Sequence, residues 1–164
     1  MRDPAKLTPA PHHVGAFGEG LVAFARARDR WWVARVDTIG ADLIAERDGK
    51  RIAISVKTRR FPKDSQESRM VPISDQDVAK LREFSSRFGF EPWWAQVLCL
   101  EDTCEVHLLQ FPISYVEKLP KTRIGASLRF SPKQIGAHAL DFSVSHTIWR
   151  EQAAPQTTGS PTRG

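Results

Sequence analysis

The dipeptide Asp48-Gly49, lying between the β-rich runs Ala41 to Glu46 and Lys50 to Thr58, constrains this chain more than any other feature. Asp-Gly in that setting predicts a type I′ hairpin turn, because both central residues of such a turn need positive φ. A two-residue turn also sets the register of the strands it joins. Counting outward, Arg47 faces Lys50, Glu46 faces Arg51, Ala45 faces Ile52, Ile44 faces Ala53 and Asp42 faces Ser55. Side chains alternate along a strand, so Asp42, Ser55 and Lys57 share one face. Leu43, Ala45, Ile52, Ile54 and Val56 share the other, which reads as core.

Around this hairpin the order is helix, three strands, helix, two strands. Phe17, Leu21, Phe24 and Arg28 recur at helical spacing and predict a first helix over Gly15 to Arg30, after which Trp31 to Val36 switches to a strand. Val78, Leu81, Phe84 and Phe88 predict a second helix over Ser74 to Phe88, with Ser74 as its cap and Asp75 and Asp77 just behind it. The stretch from Arg59 to Pro72 reads as a polar connection. Trp93 to Leu100 and Glu105 to Phe111 read as strands joined at Glu101-Asp102, and Ile113 to Leu119 as a short helix. A helix between the third and fourth strands permits a parallel crossover, so the expected fold is an α/β sandwich with a mixed sheet. Residues 1–13 hold three prolines, and 151–164 hold no large apolar side chain. Both ends are expected to be flexible, leaving one domain over 14–150.

Charge narrows the partners. Lys and Arg number 24 against 19 Asp and Glu, a net charge of +5, which favours polyanions. The excess is clustered: Lys57, Arg59, Arg60 and Lys63 crowd one stretch and Arg26, Arg28 and Arg30 another. No apolar run approaches the roughly 20 residues of a membrane helix. No apolar segment follows the early charges either, so a cytoplasmic location is expected. Two cysteines make no disulfide scaffold.

An acid, a hydroxyl and an ammonium on one face, beside a basic run, suit phosphate chemistry. A carboxylate can hold a hard divalent cation, and a lysine can orient a water or stabilise charge on a phosphate. The run GADLIAERDGKRIAISVKTR resembles the core of the PD-(D/E)xK nuclease superfamily. The preceding GAFGEGLVAF resembles the first helix of its archaeal Holliday-junction-resolvase and restriction-endonuclease-like branches, so the resemblance covers residues 15–110. It implies a restriction-endonuclease-like α-β-β-β-α-β sandwich and a metal-dependent phosphodiesterase acting on nucleic acid, DNA before RNA. The candidate catalytic set it implies is Asp42, Lys57, Glu19 and Ser55, with Mg²⁺ or Mn²⁺ held by Asp42, Glu19 and the Val56 carbonyl. A homodimer is implied by the resolvase branch.

Two positions depart from the motif. Ala41 stands where a proline is usual, and Ser55 stands where the motif has its middle acid. A hydroxyl is a neutral and weaker ligand for a hard cation, so weak metal binding is expected. Glu19, Glu46 and Glu67 are each able to restore a carboxylate, although Glu19 lies off the Phe17, Leu21, Phe24 stripe. The alternative, from a different class, is a non-catalytic nucleic-acid-binding module on the same fold, gripping phosphates through Lys57, Arg59, Arg60 and Lys63. Taken without the resemblance, Asp42 is a turn carboxylate and Lys57 a strand-end lysine that keeps a sheet edge soluble.

Other signals are weaker. Trp31, Trp32, Trp93 and Trp94 can stack bases, but such pairs in strands more often put one ring in the core and leave the other half-buried. Cys99 and Cys104 face each other if Glu101-Asp102 is a two-residue turn, and His107 follows, but a fourth zinc ligand is missing. No G-x-S-x-G, H-E-x-x-H or Walker loop is present.

Overall fold

Residues 11–63, 70–141 and 143–150 are described by a computed structural model. Helix α1 (Pro11–Arg28) leads into β1 (Trp32–Thr38), β2 (Ala41–Arg47) and β3 (Lys50–Phe61). Strand β4 (Met70–Ser74) and helix α2 (Asp75–Phe88) carry the chain to β5 (Glu91–Leu100) and β6 (Glu105–Pro112). A 3-10 helix (Ile113–Lys118), β7 (Lys121–Thr122), β8 (Gly125–Arg129), α3 (Pro132–Ala139) and β9 (Ser145–Arg150) follow.

The main sheet runs β1-β2-β3-β5-β6-β9, and a smaller one runs β4-β8-β7. Within the main sheet β3 and β5 are parallel while the other neighbours are antiparallel, so it is mixed as expected. The β2–β3 register runs from Arg47 opposite Lys50 to Leu43 opposite Ile54, as the two-residue turn requires. Asp48 and Gly49 both have positive φ, 52° and 79°, the conformation of a type I′ turn.

Both faces of the main sheet are cores. Leu43, Ile52, Ile54, Val56, Val97 and Leu108 pack beneath α1. On the other face Ala53, Trp94, Leu98, Leu109 and Phe111 meet Val78 and Leu81 of α2, Val71 and Ile73 of β4, and Leu128 of β8. Ser74 starts α2 as expected, its side chain accepting the Asp77 N–H at 3.1 Å, and Gly89 ends the helix in the left-handed region.

Several expectations are corrected. Helix α1 begins at Pro11, and its inward face is Gly18, Val22 and Ala25, while Phe17 and Phe24 of the apolar stripe are 48% and 57% exposed. The reason is steric: α1 lies so close to β3 that a Cβ on Gly18 would fall 1.8 Å from Thr58 Oγ1, which only a small-residue face permits. The Arg59 to Pro72 stretch is not merely connection, since it holds the end of β3 and part of β4, whose pairing with β8 is non-local. The β5–β6 turn spans four residues, Leu100 pairing with Glu105. Cys104 therefore sits in the turn with φ 52°, and Cys99 is opposite Val106. Of the tryptophans, Trp31 and Trp94 are buried as expected, but Trp32 is 84% exposed rather than half-buried.

Candidate active site

The β2–β3 ladder ends at Leu43 opposite Ile54, one step short of the Asp42 and Ser55 pair. There a side chain replaces the strand: Asp42 Oδ2 accepts the Val56 N–H at 2.6 Å, a short charge-assisted bond that fixes the carboxylate against β3. The Ser55 hydroxyl donates to the same oxygen over a longer 3.4 Å. Asp42 Oδ1 has no partner among the described residues.

The face that carries Asp42, Ser55 and Lys57 looks toward the first turns of α2. Its cap at Ser74 sets the direction of that helix, which brings Asp77 Oδ2 to 3.8 Å from Lys57 Nζ. A cleft of about 210 Å³ is lined by Ile39, Gly40, Ala41, Asp42, Ser55, Lys57, Asp77 and Lys80. Gly40 closes it from the β1–β2 turn. With φ 107°, and with a Cβ there falling 2.5 Å from the Lys80 carbonyl oxygen, no other residue fits without displacing α2. Lys57 Nζ also stands 6.0 Å from the Trp94 ring centroid, and Trp94 is 1% exposed.

Of the residues singled out in the sequence, Asp42, Ser55 and Lys57 come together. Val56 joins them through its backbone N–H, its side chain lying on the α1 face. Glu19 does not line the cleft; its carboxylate pairs with Arg35 of β1. Glu46 pairs with Arg51 across the hairpin, and Glu67 lies outside the described residues. The residue that sequence reasoning missed is Asp77. It was legible only as an acid suited to a helix start, because nothing local says that α2 begins over the Lys57 end of β3.

The basic run divides. Arg60 pairs with Glu101 at the end of β5, and that guanidinium, aided by the Lys63 N–H, holds the Glu101 carboxyl below its ordinary range. Arg59 lies over the Phe61 ring at 5.8 Å, and Lys63 is exposed.

No protein-family model matches the chain, and neither does any curated protein. A solved structure does: the Holliday junction resolvase Hjc of the archaeal hyperthermophile Archaeoglobus fulgidus aligns over 73% of this chain and 85% of its own, at 21% identity and a TM-score of 0.52. The chain has the restriction-endonuclease-like fold. The bacterial homing endonuclease I-Ssp6803I aligns over 78% of this chain and 88% of its own, at 14% identity and a TM-score of 0.47. Within the restriction-endonuclease-like frame the cleft offers oxygen donors: the Asp42 and Asp77 carboxylates and the Ser55 hydroxyl. Among the described residues no group of three His, Cys, Asp or Glu converges on one point. This donor set fits a cation such as Mg²⁺, which keeps several waters and takes one or two carboxylates from the protein.

Proposed function

We propose that the chain is a metal-dependent phosphodiesterase of endonuclease type that acts on nucleic acid, DNA before RNA. The observation that carries this reading is the meeting of Asp42, Lys57 and Asp77 in one cleft of a restriction-endonuclease-like fold. Asp42 and Asp77 would hold Mg²⁺ or Mn²⁺, which when bound supplies a Lewis acid for the phosphate and a more acidic water. Asp42 is oriented by the Val56 N–H, so its second oxygen is presented to the cleft at no further conformational cost. Lys57 contributes a positive charge beside the scissile phosphate, and it stands 3.8 Å from Asp77 Oδ2 until a cation takes that carboxylate. Ser55 adds a hydroxyl and no charge, which is why weak metal binding is expected. The resemblance to the resolvase makes branched DNA the first substrate to test.

The second reading, a binding module without catalysis, is favoured by Ser55, a neutral hydroxyl, standing in the cleft beside Asp42. Calorimetry with Mn²⁺ and cleavage assays on branched, duplex and single-stranded substrates separate the two. The enzyme reading expects millimolar Mn²⁺ uptake and cleavage, both lost in Asp42→Ala. A wild type that takes up no Mn²⁺, alone or with nucleic acid bound, and cleaves none of these substrates yet binds one of them, overturns it.

A further inference from the structure

Gln96 is a polar residue in the middle of an otherwise apolar strand, and it is 0% exposed. Its neighbours on the same face of β5 are Trp94 and Leu98, both buried in the core that α2 covers. An unpaired amide there would be costly, so each of its polar atoms needs a partner. The Nε2 group donates to the Lys57 carbonyl at 3.0 Å and to the Val97 carbonyl at 3.4 Å. Its Oε1 receives the Trp94 indole N–H at 3.5 Å.

In the parallel register Gln96 lies opposite Lys57. At that level β3 no longer has β2 beside it, because the β2–β3 ladder has ended at Ile54. On the β5 side the parallel ladder continues past Lys57 and Gln96 to Phe61 and Leu100, and two side chains add to it. Asp42 takes the Val56 N–H on the side that β2 has left, and Gln96 takes the Lys57 carbonyl from the β5 side. The same amide receives the indole over which the Lys57 ammonium stands.

We infer that Gln96 is a positioning residue of the cleft: with Asp42 it clamps β3 on both sides of the Val56-Lys57 step, so that Lys57 is presented to Asp77 at one height. An apolar pair at 94 and 96 would fill the same space and satisfy the core, so a polar pair set against Lys57 points to function as well as packing. The inference rests on the proposed reading of the cleft.

The test compares Gln96→Met, close in volume, with Leu98→Met, a volume-conserving change on the same face of β5 that leaves the bond to Lys57. In Gln96→Met the amide exchange of Val56 is expected to rise about tenfold while Ile52 and Ile54 keep their wild-type rates. Cleavage by Gln96→Met is expected to lose about 10- to 100-fold in kcat with KM unchanged. Leu98→Met is expected to leave kcat and Val56 exchange near wild type. A folded Gln96→Met with wild-type exchange at Val56, or with wild-type kcat, overturns the inference. A wild type that cleaves nothing overturns the proposed function instead, and the Val56 exchange alone then decides the role of Gln96. Should Gln96→Met fail to fold, the double variant Trp94→Phe/Gln96→Met removes both partners of the indole bond and is measured in its place. If the double variant fails as well, Gln96 is a folding requirement and the positioning role is lost.

Discussion

Lys57 Nζ stands 3.8 Å from Asp77 Oδ2, which joins β3 to the first turn of α2. The pair is partly exposed, 43% and 37%, so it adds little to stability. On the proposed reading, a cation taken by Asp77 would compete with Lys57 for the same carboxylate.

Asp77→Asn is therefore expected to weaken Mn²⁺ uptake about tenfold or more, since a neutral amide replaces one of two carboxylates. Cleavage should fall in step and recover partly at higher Mn²⁺. Glu19→Gln, which touches Arg35 and not the cleft, should leave both unchanged. Calorimetry on the two variants checks this, and a larger loss from Glu19 than from Asp77 would reverse the assignment.

Ser55→Glu is expected to lower the Mn²⁺ concentration for half-maximal cleavage. Ser55 is 5% exposed and its hydroxyl already contacts Asp42, so a carboxylate there would add a negative charge beside the proposed ligand Asp42. A shift of about tenfold corresponds to roughly 1.4 kcal/mol of added binding free energy. Metal titration of the cleavage rate reads it directly.

Gly18→Ala should destabilise the fold by about 1–3 kcal/mol, the cost of forcing atoms into a filled contact. The Cβ would meet Thr58 Oγ1, on a β-branched side chain whose χ1 has little freedom. That hydroxyl is itself buried without a partner, so Thr58→Val should be neutral or stabilising. Urea unfolding of the two variants checks this, with a loss expected for Gly18→Ala and none for Thr58→Val.

Nucleic-acid binding should weaken linearly in log-log with salt. Lys63→Ala should reduce that slope by about one unit. Arg60→Ala should change it less, because Glu101 already neutralises Arg60. Equal slopes for the two variants would argue against this division of the basic run.

Stability should fall in two stages as pH is lowered. Burial, with the nearby His107 and His138, holds His146 below its ordinary value. Between that ordinary value of about 6.5 and the lower folded one, the unfolded chain takes a proton that the folded chain resists, so stability drops first here. Hydrogen bonds from His107 and Arg150 hold the Glu105 carboxyl low, as Arg60 does for Glu101 and Lys118 and Ser143 do for Asp141. Their contribution is complete above the ordinary carboxylate range of about 4 and disappears as pH falls through the folded values. His146→Gln should remove the first stage and leave the second, measured as urea midpoints across pH.

Local rules determined the hairpin and much of its surroundings. Asp48-Gly49 dictates a two-residue turn, the turn dictates register, and the pleat dictates that Asp42, Ser55 and Lys57 share a face; none of these steps needs a distant contact. The second helix and its Ser74 cap were legible for the same reason. What the tertiary structure alone decided is non-local. Strand β4 exists because β8 pairs with it, and β9 because β6 does, so neither carries a pattern strong enough to be read alone. The inward face of α1 was set by a close approach to Thr58 that favours small residues over the aromatic stripe. Asp77 entered the cleft, and Glu19 turned to Arg35, because helix placement over a sheet depends on packing of whole faces, to which a single residue's position along the chain gives no guide.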